Sequence, residues 1–320
     1  MRLGFAPSGR RNAQTTVELA KQAEDAGFAE IWVSEDYLER GAFAVAGAVA
    51  ASTERVTIGL GVINPWTRHV ALSAMECAAL EELSGGRLRL GVGASNRIWI
   101  EEQLGIPFRR PVSVLVEYVD ALRTLLDGDR HSRPVNGLEV DAALAFTPGT
   151  RIPILLGVKG ERALSRSASS DGLILSVLSS PEYVSWVREN FSPRSVTAYV
   201  LFSRDSDPGA ARARVAGRIA QYLGMHGPSP ITALPGLSAE TATAFRENML
   251  AGTDASDLVT DEMSRTFAIA GNDEQCADIL RRFSDAGVDS LVIVDAGTQE
   301  PTTIVSDVAA IADKAGIPLG

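Results

Sequence analysis

The chain has 320 residues, 45% of them apolar, which is enough to bury a sizeable core. Forty acidic against thirty basic side chains leave a net charge of −10, which argues against a nucleic-acid binder, and a charged fraction of 22% argues against disorder. Its two cysteines, Cys77 and Cys276, both fall in amphipathic helical patterns, so neither a disulfide framework nor a zinc site is expected.

At the N-terminus, Leu3–Pro7 reads as a first strand with no charged-then-apolar leader ahead of it. The loop after it, Pro7-Ser8-Gly9-Arg10, lacks the G-x-G-x-x-G spacing of a dinucleotide fold. Val17, Ala20 and Ala23 then mark one helical face, Gly27 is placed to end the helix in the left-handed region, and Phe28–Ser34 is a buried strand. Gly41 to Ala51 is apolar but too short to span a bilayer, so a soluble cytoplasmic protein is expected.

The helix-to-strand join recurs. Further strands are predicted at Val56–Ile63, Leu88–Ala94, Ile152–Gly157, Gly172–Val177, Val196–Phe202 and Ser290–Val294, with helices between most of them. Parallel neighbours need a crossover helix, so about eight βα units point to a closed (β/α)8 TIM barrel. Two segments interrupt the plan. Val135 to Phe146 reads as a hairpin around Asn136-Gly137, and about 225–265 reads as a helical insertion between strands seven and eight, all within a single domain spanning 1–320.

In a barrel, function gathers where the strands end at their C-termini. Strand two ends at Glu35-Asp36, two carboxylates able to do acid–base work or bind hydroxyls, or simply to cap the next helix. Strand three carries Gly59 and Gly61, marks of a bulge or of close backbone approach, and runs on through Asn64-Pro65-Trp66-Thr67-Arg68-His69. His69, just before a helix, reads more readily as a cap or packing residue than as a base. Trp66 and Trp99 fit packing under loops as well as stacking on a ligand. Strand four ends at Gly93-Ala94-Ser95, small enough for a flat ring to lie across. Strand five ends at Gly157-Val158-Lys159-Gly160 before a helix at Glu161, an arrangement suited to an anion. The three histidines are far apart in sequence, no metal-ligand spacing occurs, and no nucleophile elbow or phosphate-binding Walker loop is present; a cofactor is expected to carry the reaction.

Taken in order, Glu35-Asp36-Tyr37, Arg40-Gly41-Ala42-Phe43, Gly59 to His69, Leu83-Ser84-Gly85-Gly86-Arg87, Leu90 to Ala94, Gly157 to Gly160, Ser170-Asp171-Gly172 and Ala270 to Ala277 resemble the luciferase-like superfamily. The chain is similar to its F420-dependent oxidoreductase branch, the methylenetetrahydromethanopterin reductases, over nearly its whole length apart from the 225–265 region. The resemblance implies a barrel that binds coenzyme F420 and passes a hydride from the deazaflavin C5 to a small organic substrate, with a flavin mononucleotide (FMN) monooxygenase as the alternative. It implies a non-proline cis peptide at Gly61-Val62 behind the ring, and Glu35 and Asp36 facing the cofactor's polar edge or the substrate and serving as catalytic candidates. Val62 and Asn64 would touch the ring, Gly93, Ala94 and Ser95 its tail, and Gly157, Val158, Lys159 and Gly160 the phosphate. On this view a leucine at Gly61 abolishes cofactor binding and leaves the fold intact. A homodimer is the family expectation. The chain departs from many relatives in having Glu35-Asp36 where they have aspartate then histidine, and valine rather than proline before Lys159. A barrel glycosidase built on Glu35 and Asp36 is disfavoured because adjacent residues seldom form an opposed carboxylate pair. A non-catalytic binder that kept the fold is a further alternative.

Overall fold

A computed structural model describes residues 1–35, 38–296 and 300–320. In chain order its elements are β1 (Arg2–Ala6), α1 (Ala13–Ala26), β2 (Glu30–Val33), α2 (Ala42–Ser52), β3 (Thr57–Ile63), α3 (Val70–Ser84), β4 (Leu88–Gly93) and α4 (Pro111–Leu126). Then come β5 (Ile154–Val158), α5 (Glu161–Leu164), β6 (Gly172–Leu175), α6 (Pro181–Phe191), β7 (Val196–Arg204) and α7 (Pro208–His226). The chain finishes with α8 (Pro230–Ala233), α9 (Ala239–Ala251), α10 (Asp261–Phe267), β8 (Ala268–Gly271), α11 (Asp273–Asp285), β9 (Ser290–Val294) and α12 (Pro301–Ala315).

Strands β1 to β7 pair in sequence, all parallel, and β9 bridges β7 to β1, closing an eight-stranded barrel. This is the expected TIM barrel, and each of the eight predicted strands overlaps a barrel strand. β8 was not foreseen. It pairs with Leu201–Arg204 of β7, beyond the point at Ala198 where β6 stops pairing.

The local chemistry explains the joins. Asn12 accepts from Gln14 N at the start of α1, and Gly27 at its end (φ 97°) donates to the Ala23 and Glu24 carbonyls. Asn272 and Gln275 form a reciprocal capping box at α11, and Gly287 (φ 82°) makes the turn into β9. The Asn136-Gly137 turn is present with both residues at positive φ, but it carries only isolated antiparallel bridges, Val135–Leu138 and His131–Ala142, rather than a ladder.

Two cores follow from strand alternation. Leu156, Val158, Ile58 and Leu60 are among the side chains packed outward under the helices. Inside, Trp32, Leu155, Tyr199 and Leu201 continue into Val215, Ile219 and Leu223 of α7 and Phe245 of α9, so the helices between β7 and β8 share the core of the barrel interior. Low in the barrel, Glu30 is fully buried and accepts from Trp32 Nε1 (2.7 Å), Arg89 Nη1 (2.7 Å) and Ser290 Oγ (2.6 Å), which satisfies its charge. No helix among the described residues is long and apolar enough to cross a membrane.

Candidate functional site

The C-terminal ends of β2 to β5 carry most of the sequence candidates. Glu35 follows β2. Its Oε1 accepts from Arg68 Nη2 at 2.9 Å and Nε at 3.3 Å, and Arg68 also reaches Glu76 at 3.0 Å and lies 4.8 Å from the Phe43 ring centre. Burial disfavours the Arg68 charge, but its hydrogen bond and proximity to Glu35 outweigh that and raise its pKa. Held in this way, Glu35 acts as an acceptor. Its other oxygen, Oε2, is buried and has no hydrogen-bond partner among the described residues. Asp36 lies outside the described residues.

The peptide Gly61-Val62 is cis, as the resemblance implied, and the β3–β4 register shifts between Leu60 and Ile63. The carbonyl of Gly61 accepts from Ser34 Oγ at 2.8 Å and lies 3.5 Å from the Tyr199 hydroxyl. Val62 turns toward the neighbouring strands, where glycines leave it room. A Cβ on Gly93 would fall 2.7 Å from Val62 Cγ2, and one on Gly157 would fall 2.9 Å from Val62 Cγ1. The small residues at 93 and 157 are thus already explained by Val62 packing against them.

Asn64, 2% exposed, has its amide orientation fixed by three donors to Oδ1: Trp66 N at 3.0 Å, Thr67 N at 3.1 Å and Thr67 Oγ1 at 3.2 Å. Its Nδ2 is left buried with no partner among the described residues. A buried, unpaired donor costs about 1–3 kcal/mol, so Asn64 Nδ2 and Glu35 Oε2 are a donor and an acceptor whose hydrogen-bonding capacity the described residues leave unused. Ala94 uses its carbonyl to accept from Trp66 Nε1 at 2.9 Å, and Ser95 sits in the left-handed region at φ 58°. Trp66 and Trp99 are nearly buried in an apolar cluster with Ile100 and Val114, so packing under the loops accounts for both. His69 caps α3, its Nδ1 accepting from Ala71 N at 3.3 Å.

The β5 end differs from the sequence picture in two ways. Val158 packs outward into the helix-facing core, so only its backbone can face the mouth, and α5 is a single turn whose dipole supplies little. What remains is Lys159, with Gly160 beside it, where an added Cβ would meet nothing within 4 Å. Lys159 Nζ lies 3.3 Å from His226 Nδ1, while His226 Nε2 lies 2.9 Å from the Val177 carbonyl. A carbonyl only accepts, so the proton is on Nε2, and Nδ1 accepts from the lysine. Burial, with Arg246 nearby, pushes Lys159 down to about 8. Burial, then the Lys159 charge, push His226 down to about 3. Arg246 of α9 donates to the His226 carbonyl at 2.9 Å, closing the end of α7. Sequence reading missed His226 and Arg246, because they lie 67 and 87 positions beyond Lys159 and belong to no spacing motif.

A closed parallel barrel with its candidate residues at the C-terminal strand ends fits one class, and the sequence places the chain in it: the chain belongs to the luciferase-like monooxygenase family, which it matches over residues 2–290. Within that class it is 30% identical over 295 residues to the 5,10-methylenetetrahydromethanopterin reductase of Archaeoglobus fulgidus, with 85% of this chain and 86% of that protein covered. Its fold is similar to that of the coenzyme F420-dependent tetrahydromethanopterin reductase of Methanopyrus kandleri (TM-score 0.84, 22% identity, 96% and 97% of the two chains covered). It is also similar in fold to an F420-dependent secondary alcohol dehydrogenase in complex with an F420–acetone adduct (TM-score 0.77, 17% identity, 98% of each chain covered).

Proposed function

We propose that this protein is an F420-dependent oxidoreductase that passes a hydride between the deazaflavin and a small organic substrate. The observation that carries the reading is the pair of buried polar atoms without a partner among the described residues, Glu35 Oε2 and Asn64 Nδ2, at the ends of β2 and β3. A tricyclic ring with alternating carbonyl and N–H groups on one edge suits an acceptor and a donor fixed in this way. The kinship with the methylenetetrahydromethanopterin reductases supports the same cofactor.

The hydride chemistry belongs to C5 of the deazaflavin. The chain's contribution is placement and exclusion of water. On this reading Val62 backs the ring, Gly61 carries the peptide behind it, and Gly93, Ala94 and Ser95 lie along the tail. Gly157 and Val158 have their backbone N–H groups committed to the β4 and β6 ladders, so the Gly160 N–H and the Lys159 ammonium are what the β5 end offers the phosphate. Glu35, clamped by Arg68, orients a donor on the ligand rather than delivering a proton. Asp36 is the candidate for proton delivery.

The outer faces of α2 (Ala44, Ala48, Ala51, with Gly47 half-buried) and α3 (Leu72, Met75, Ala79, Leu83) expose apolar side chains, with Glu76 and Glu82 beside them on α3, and the two helices approach near Gly47 and Leu83. Leu72, Met75 and Leu83 are each about half exposed (55%, 50% and 52%), an unusual expense of apolar surface that supports a homodimer formed across these helices. The two free buried cysteines suit a cytoplasmic protein.

The test is a fluorescence titration with F420 and, separately, FMN. Saturable quenching by F420 alone supports the reading. Binding of FMN alone replaces it with the monooxygenase alternative, and binding of neither removes both.

A further inference from the structure

Lys159 is the one candidate phosphate partner whose side chain is held by a residue far away in the chain. Its ammonium has three protons to give. One goes to the neutral ring of His226, which is itself fixed by the Val177 carbonyl after β6, while Arg246 holds the backbone of the same residue. The chain of contacts therefore runs from the β5 loop across the end of β6 to the C-terminus of α7. Tyr183 of α6 adds a second tether, its hydroxyl donating to the Lys159 carbonyl at 2.8 Å. His226 is 5% exposed and packs beside Tyr222 at 6.4 Å between ring centres. A lysine side chain on a loop samples many rotamers, and holding it in one removes an entropic cost that an anion would otherwise meet on binding. An ordinary surface lysine needs no such support. Here the partner is uncharged and takes one proton, leaving the charge and two donors for something else.

Resting on the F420 reading above, we infer that His226 is a positioning residue for the cofactor's phosphate: it holds the Lys159 ammonium at the β5 rim, so that the α7–α10 excursion sets affinity for the anionic tail without touching the ring.

The experiment uses two ligands, F420 and the same deazaflavin with its ribityl chain but no phosphate, titrated by fluorescence into the full chain and its variants. His226→Ala should weaken F420 by about tenfold, the scale of one charged hydrogen bond, and leave the phosphate-free ligand unchanged. Lys159→Ala should do the same, and the double variant should bind F420 no more weakly than Lys159→Ala alone. His226→Gln, which keeps a donor for Val177 and an acceptor for Lys159, should recover most of the loss. It also carries the test if His226→Ala folds poorly. Equal weakening of both ligands, additive losses in the double variant, or unchanged F420 affinity would each overturn the inference. If the unsubstituted chain binds neither ligand, the F420 reading itself falls, an outcome distinct from those three.

Discussion

The phenolic oxygen of Tyr199 occupies the space that a side chain on Gly61 would need: a Cβ there would overlap it, and would lie 2.7 Å from Cε3 of Trp32 as well. Tyr199 and Trp32 meet edge to face at 6.0 Å inside the barrel. A leucine at 61 thus collides with the barrel interior before it reaches any ligand, so the expectation of a lost site on an intact fold does not hold. Even Gly61→Ala should cost about 1–3 kcal/mol, the usual scale for overpacking. Tyr199→Phe in the same chain should return part of it by removing the nearest atom. Urea denaturation of the three variants checks this, and an unchanged midpoint for Gly61→Ala would show that the interior yields more easily than its packing suggests.

Val62 and Gly157 make a second, separable test. Gly157→Ala places a methyl 2.9 Å from Val62 Cγ1 and 3.3 Å from the Gly93 backbone. The side chain can move and the backbone cannot, so the expected loss of about 1–3 kcal/mol should be only partly restored by Val62→Ala. Full restoration would mean that Val62 alone sets the need for glycine at 157.

These contacts mark how far the sequence could be read. Most barrel strands were legible because the apolar run follows a helical face and a turn signal, as at Gly27 and Gly287. β8 was not, because its four residues Ala268–Gly271 follow α10 with no turn residue and are too short for periodicity to register. Gly93 reads as room for a ring and Gly157 as part of an anion-binding turn, but what packs against both is Val62 of β3, a matter of register. Glu35 was read with its neighbour Asp36, whereas its partner is Arg68, 33 residues on. Local pattern gives the scaffold and the rim; partners across the barrel are set by closure.

The α2–α3 face predicts its own disruption. Met75→Glu places a charge in the middle of the apolar stripe, where it stays hydrated in a monomer and would be buried unpaired in a dimer. Sedimentation should show a dimer for the unsubstituted chain and a monomer for the variant, with the thermal stability of the monomer nearly unchanged because residue 75 is exposed. A monomer in both cases would end the dimer proposal.

Glu24 should govern part of the acid sensitivity. Burial pushes its pKa up, but the N–H groups of Val56, Arg55 and Glu54, all donating to its carboxylate, and the Arg55 charge hold it below the ordinary glutamate value. A depressed carboxylate stabilises the fold fully above the unfolded-state pKa, near 4.5, and this contribution is lost as pH falls through the lower folded value. Glu24→Gln should therefore destabilise by about 1–3 kcal/mol at neutral pH, and the gap to the unsubstituted chain should shrink below pH 4.5. A gap independent of pH would assign the loss to packing.

Lys159 gives the opposite sign. Burial and the nearby Arg246 push its pKa down to about 8, against an ordinary value of 10.5, so the folded chain releases this proton before the unfolded chain does. Its ammonium thus costs stability at pH 7, and that cost is relieved as pH rises from about 8 toward 10.5. Affinity for an anionic ligand runs the other way, because only the protonated lysine attracts it. F420 binding should hold steady up to about pH 8 and weaken above it, while Lys159→Ala should bind more weakly but without that inflection. The phosphate-free deazaflavin should show no inflection in either chain. Its appearance with that ligand would trace the titration to a group near the ring instead of to Lys159.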